Sequence, residues 1–318
     1  DKLVDLQELN LYANYITKIE GLETNVKLKK LQLGGNSISK ICNLENLTNL
    51  LELSLSSNEI SKVENLNHLI NLQSLDLCFN KIEEIREEDM LHIQPLKKLE
   101  AINLQGNSIT EIKNLHLLPQ LKTLNLSHNK ILEIKGLDES PNLEVLDLSA
   151  NIISKLTGLK CLTNLQELFL GQNKITKIEG LDELTNLKKL SIQRNKIEEI
   201  TGLESLRNLE FLFIHNNQIK EISGLENLTN LRMLDLKNNK ITEIKGLENL
   251  SKLQSLNLEN NQITEIKGLD NLGKLEELNL ISNFITDRTG LENLKNLKNS
   301  NFCLINNPKK EGKFMVSK

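Results

Sequence analysis

Asparagine recurs along this chain at a nearly fixed step. It stands at Asn14, Asn36, Asn58 and Asn80, then at Asn107, Asn129, Asn151, Asn173, Asn195, Asn217, Asn239, Asn261 and Asn283. The step is 22 residues except between Asn80 and Asn107, where it is 27. The surrounding string is Leu-x-x-Leu-x-Leu-x-x-Asn-x-Ile-x-x-Ile-x-Gly-Leu-x-x-Leu. One clean copy is Leu187, Leu190, Ile192, Asn195, Ile197, Ile200, Gly202, Leu203 and Leu206. Units this short bury an apolar face only by stacking, so the chain is expected to form a solenoid whose length is not limited by a single core.

Each position has a physical role. Leu-x-Leu has period two, which places both leucines on one side of a short strand and the residue between on the other. Successive strands are expected to stack into a concave parallel sheet. The Asn stands where the chain leaves the strand, and its amide can pair backbone groups that the bend would otherwise bury unsatisfied. Ile-x-x-Ile and Leu-x-x-Leu then carry the chain back along the convex side, as short helices or 3₁₀ turns. The residue before the second-half Leu is Gly or Asn in every clear copy, such as Gly202 and Asn65. These types best tolerate a left-handed backbone, so a positive φ is expected there. The predicted fold class is an α/β solenoid curved like a horseshoe.

Residues 1–308 make up the repeat domain, with the longer repeat at 81–107 and a polar tail at 309–318. The insertion carries Arg86-Glu87-Glu88-Asp89-Met90-Leu91, whose acidic residues are expected to start a helix with Met90, Leu91 and Ile93 inward. The last copies degenerate. Arg288 and Ser300 replace apolar residues, and 302–308 reads as a terminal, off-register repeat. The chain begins part way through a copy, so its first apolar layer is expected to be covered by a flanking segment or weakly ordered.

This repeat resembles the leucine-rich-repeat family over nearly the whole chain. Its period and its Ile-x-x-Ile-x-Gly-Leu segment are similar to the 22-residue subclass typified by the regulatory subunit of protein phosphatase 1. The stretch from Leu165 to Thr176 and the strands Leu190-Ser191-Ile192 and Leu234-Asp235-Leu236 carry the local likeness. The resemblance implies a non-catalytic scaffold or regulator whose concave face docks a folded protein. A protein phosphatase 1-like catalytic subunit is the implied partner, with Asp147, Phe169 and Phe213 matching in kind. Asn103 and Asn125 stand where that subclass presents an acid and an aromatic. Bacterial internalins share the period, which makes a secreted or surface adhesion module the alternative, as is the repeat domain of a larger signalling protein.

Most central strand positions are small and polar, as a solvated sheet requires. Phe169 and Phe213 are exceptions in a chain with seven Phe, two Tyr and no Trp. Phe211, His215, Met233 and Arg194 occupy outward positions beside them. With Asp147 and Asp235 on the rim, this set has the composition of a protein-binding hot spot. Tyr12 with Cys78 and Phe79 is a weaker second cluster. The regular charges at Lys18, Lys40, Lys62, Glu111, Glu133, Glu199, Glu221, Glu243 and Glu265 read as a solvated outer face.

Other function classes find little support. The net charge of −4 gives no basic field for nucleic acid. No apolar run is long enough to span a membrane. Cys42, Cys78, Cys161 and Cys303 are scattered, which fits free thiols in a reducing compartment, the cytoplasm or nucleus. His68, His92, His116, His128 and His215 lie in separate repeats, without a nucleophile motif, phosphate loop or metal spacing. No enzyme activity, cofactor or metal is expected, and the chain is expected to be monomeric by itself.

Overall fold

A computed structural model describes residues 3–291, 294–297, 302–305 and 307. The expectations on Ser300 and on the tail 309–318 fall outside them. The chain divides into two compact units, Asp1–Ile153 with Thr157–Leu165, and Ser154–Leu156 with Gln166–Lys318.

The first unit carries strands β1 (Glu8–Asn10), β2 (Lys30–Gln32), β3 (Glu52–Ser54), β4 (Ser74–Asp76), β5 (Ala101–Asn103), β6 (Thr123–Asn125) and β7 (Val145–Asp147). Each pairs with the next in parallel, leucine or isoleucine opposite leucine, as in Leu31↔Leu53 and Leu75↔Ile102. The second unit carries β8 (Glu167–Phe169), β9 (Lys189–Ser191), β10 (Phe211–Phe213), β11 (Met233–Asp235), β12 (Ser255–Asn257), β13 (Glu277–Asn279) and β14 (Phe302–Cys303). They pair in the same parallel fashion, with Leu190, Leu212, Leu234 and Leu256 in one row. Both units are therefore leucine-rich-repeat solenoids. From β2 to β13 the strand leucines and the Ile and Leu of the return path are buried, whereas Leu9, Leu11 and Ile16 of the first repeat are only half-buried. One row of such side chains supplies about 1.5–3 kcal/mol of burial free energy per residue.

The return path holds less helix than expected. Most repeats cross it in single turns closed by i→i−3 bonds, such as Leu47 N–H to Leu44 O and Leu50 N–H to Leu47 O. A leucine every third residue turns one side chain into the core per turn, which leaves no run of helical bonds. The exceptions are a 3₁₀ turn, Leu115–Leu117, and the helix α1, Glu87–Ile93, formed by the five-residue insertion. Asp89, Met90 and Ile93 face inward, whereas Leu91 is 54 % exposed. The expectation for Leu91 is thus corrected: at about 100° per residue it points away from the face shared by 89, 90 and 93. Asp89 is carried inward in its place, beside a cavity of about 20 Å³ also lined by Val63, Ile85, Met90, Ile93 and Ile102.

Burial raises the Asp89 carboxyl above its ordinary range, opposed by the Arg86 backbone amide and the Arg86 charge. A folded-state pKa above the unfolded one means that this group's contribution is fully present below the unfolded pKa. It is lost as pH rises through the folded pKa. Asp89→Asn is therefore expected to stabilise the chain relative to wild type at pH 7 but not at pH 3. Urea midpoints at the two pH values check this, and a pH-independent difference would contradict it.

Ser140 stands where other repeats place a core leucine. It is 2 % exposed, and its hydroxyl finds no partner among the described residues. Ser140→Ala is expected to stabilise the first unit by about 1 kcal/mol by removing an unpaired buried hydroxyl. A loss of stability in urea melts would show that the hydroxyl is in fact satisfied.

Candidate functional site

Two backbone devices fix where outward side chains stand. The first is the asparagine ladder. Asn129 Nδ2 donates to Leu126 O at 3.0 Å, Ser127 O at 3.2 Å and, in the preceding repeat, Leu104 O at 3.0 Å. Its Oδ1 accepts from Ile109 N–H at 2.9 Å. Asn36, Asn58, Asn80, Asn107, Asn151, Asn217, Asn239, Asn261 and Asn283 repeat the inter-repeat bonds. Asn195 does likewise, while Asn14, in the first repeat, donates to Leu11 O and Tyr12 O of its own turn. Asn307 continues the ladder, donating to Leu280 O and accepting from Ile285 N–H. The sequence reading missed it because the step from Asn283 is 24 residues. Arg288, by contrast, is exposed, as its charge requires.

The second device is a pair of left-handed residues per repeat. One is the expected Gly or Asn, such as Gly224 at φ +68° and Asn65 at +57°. The other directly precedes the ladder asparagine and was not foreseen, because side chains of every kind occupy it: Phe79 at +53°, His128 at +54°, Arg194 at +56° and Asn216 at +56°. A further line of amides on the return path was also missed. Asn49 donates to Val26 O, Asn208 to Thr185 O and Asn230 to Arg207 O.

On this scaffold the second unit gathers the predicted patch. Phe211 is the register partner of Met233, and Phe213 that of Asp235. Phe169 and Phe213 both pair with Ser191, one from each side. That serine is only 7 % exposed although it sits on the outward face. Its small side chain lies between the two phenylalanine-bearing strands, and its hydroxyl donates to Gln193 Oε1 at 2.6 Å. Phe169, Phe211, Phe213 and Met233 are all half-buried, unlike the fully buried strand leucines between them, so none lies beneath the sheet. Lys189 Nζ sits 4.7 Å from the centre of the Phe169 ring, within cation–π range.

The polar members are arranged around them. Asp235 Oδ1 accepts from Lys237 N–H at 3.1 Å. Its Oδ2 lies 3.0 Å from the covered His215 Nδ1 without a hydrogen bond forming, so the two make an ion pair only when the imidazole is protonated. Arg194 lies on the turn rather than the strand. Its backbone N–H donates to His215 O, and its side chain is exposed. Asp147 belongs to the first unit, at the end of β7, where Oδ1 accepts from Ser149 N–H at 2.8 Å.

The second cluster does not come together. Tyr12 lies against Gly34, and Phe79 against Gly106. Gly34 and Ser56 separate Tyr12 from Cys78 along the row. Burial, then the neighbouring Asp76, pushes the Cys78 thiol up to about 12, which makes it a poor nucleophile. Among the described residues no group of three His, Cys, Asp or Glu is set to hold a metal. No helix among them is long and apolar enough to cross a membrane.

Comparison with known proteins agrees with this architecture. A model of leucine-rich repeats in two copies matches residues 141–183, 185–227 and 229–272, and a second leucine-rich-repeat model matches 70–131. An internalin, inlF of Listeria monocytogenes, is similar with TM-score 0.80 and 30 % identity, over 93 % of this chain and 86 % of that one. The chain belongs to the leucine-rich-repeat family. A leucine-rich-repeat protein of Leptospira interrogans is similar with TM-score 0.79 and 26 % identity, over 98 % of this chain and 92 % of that one. No curated sequence matches. Leucine-rich-repeat folds generally serve as protein-binding scaffolds and are typically non-catalytic.

Proposed function

We propose that this leucine-rich-repeat protein is a non-catalytic scaffold or regulatory subunit that docks a folded protein through β8–β11. The observation that carries the reading is the apolar surface of Phe169, Phe211, Phe213 and Met233, whose outward neighbours within β8–β11 are the polar Glu167, Lys189, Ser191 and Asp235. Contiguous exposed aromatics rimmed by charge are the usual anchors of protein interfaces. A protein phosphatase 1-like catalytic subunit is the named candidate partner, and the cytoplasm or nucleus the proposed compartment. The chain acts as a monomer on its own, without cofactor, nucleic acid or membrane.

Phe169→Ala with Phe213→Ala is expected to weaken partner capture at least tenfold while leaving the fold intact, because both half-buried rings lie on the outward face and not in the leucine core. Capture from lysate, wild type against double variant, with mass spectrometry, checks this. Recovery of the same partner by both proteins would refute the patch. Purified protein phosphatase 1 catalytic subunit, added to each, tests that partner directly.

The 30 % identity to an internalin favours a second reading, a secreted or surface adhesion module. Detection of the native protein in culture medium or on intact cells, against its presence in the cytosolic fraction, separates the two.

A further inference from the structure

The charges around the aromatic patch are unevenly matched. Asp235 faces His215 and caps Lys237 N–H. Glu259 pairs with Lys237 at 2.9 Å, and Glu210 with Arg232 at 3.1 Å. Those carboxylates are already engaged. The β9 repeat, which runs between Phe169 and Phe213, differs. From Lys188 to Arg194 it holds Lys188, Lys189 and Arg194 and no acid. The Lys188 ammonium donates to the neutral Gln166 Oε1 at 3.0 Å and makes no ion pair among the described residues. Lys189 pairs loosely with Glu167 at 3.7 Å and lies over the Phe169 ring, so its ammonium is shared rather than held by one tight partner. The exposed Arg194 guanidinium makes no ion pair among the described residues. Basic side chains therefore stand before and after Ser191, in the repeat that runs between the Phe169 and Phe213 strands.

We propose that the patch takes an acidic segment of a partner protein, which lays an apolar anchor across Phe169 and Phe213 and sets carboxylates on Lys189 and Arg194. This rests on the docking reading above and adds the chemistry of what docks. Arginine offers a carboxylate two parallel donors, and a rim next to an apolar surface is less screened than open water. The net charge of −4 does not oppose this, because its repulsion is screened beyond about 8–10 Å at physiological salt, whereas the rim cations act in contact.

The test uses the full chain and a random twelve-residue peptide library displayed on phage. Wild type is expected to select peptides with Asp or Glu flanking an aromatic or aliphatic residue. For a selected peptide made synthetically, Lys189→Glu with Arg194→Glu is expected to weaken binding at least tenfold. Raising NaCl from 0.05 to 0.5 M should weaken wild type severalfold and that variant little. Phe169→Ala with Phe213→Ala should abolish binding. Selection without acidic enrichment, no selection at all, or equal binding by the charge-reversed variant overturns the acidic-segment proposal. Equal binding by the phenylalanine variant instead overturns the docking patch itself. Circular dichroism and urea midpoints like those of wild type establish that each variant is folded.

Discussion

Asn129→Ala is expected to destabilise the chain by about 3 kcal/mol, whereas Asn14→Ala should cost less than about 1 kcal/mol. Both residues hold the same place in the repeat, but their bonding differs. Asn129 is buried and ties its own turn to the preceding one. Asn14 is exposed, and its amide bonds Leu11 O and Tyr12 O within its own repeat. The decisive loss at position 129 is the partner of Ile109 N–H, in a repeat whose Ile109 side chain is fully buried. The carbonyls suffer less, because Leu126 O still accepts from Asn151 and Leu104 O from Asn107. Asn129→Asp should be at least as harmful as alanine, since a carboxylate cannot donate to three carbonyls and aims negative charge at them. Urea unfolding of the three variants checks the order. Equal midpoints for positions 14 and 129 would mean that the amide bonds between repeats contribute nothing measurable.

Gly224→Val is expected to cost about 3 kcal/mol or more, and Gly224→Asn about 1 kcal/mol. At φ +68° a β-branched residue is strained by its own backbone. A Cβ there would also stand 2.5 Å from Ile200 O, a backbone atom that cannot swing aside. The sequence alone anticipates only the first effect, on the order of 1 kcal/mol. Asparagine fares better because the protein already uses it at this place. Asn43 Nδ2 donates to Ile19 O at 2.7 Å, and Asn65 to Ile41 O at 2.8 Å. The neighbouring turn must shift to admit either Cβ, but only asparagine gains a hydrogen bond to the Ile200 carbonyl in return. If valine and asparagine were equally tolerated in thermal melts, close approach of the neighbouring turn would not explain the glycine.

What could be read in advance followed from periodicity. The buried leucines, the ladder and the Gly or Asn turn recur with fixed residue types, so the physical demand is visible as repetition. The second left-handed residue was hidden because Phe79, Arg194 and Asn216 satisfy it equally, and their backbone is held by bonds such as Arg194 N–H to His215 O. Leu91 was misplaced because an insertion has no repeat to supply its phase. For the patch, alternation along the strand placed Phe169, Phe211, Phe213 and Met233 outward. It could not foresee that Ser191 would be enclosed or His215 Nδ1 covered, since both depend on which way neighbouring side chains lean.

The insertion that forms α1 leaves the pairing beside it untouched: Ser74 still meets Ala101, and Asp76 still meets Asn103. Extra sequence absorbed on one side of a turn is invisible on the other. Lineages of such a protein, or engineers, could thus lengthen any loop there as a tether, tag or second binding arm. The spacing of the side chains that meet a client across the strands would stay as it was.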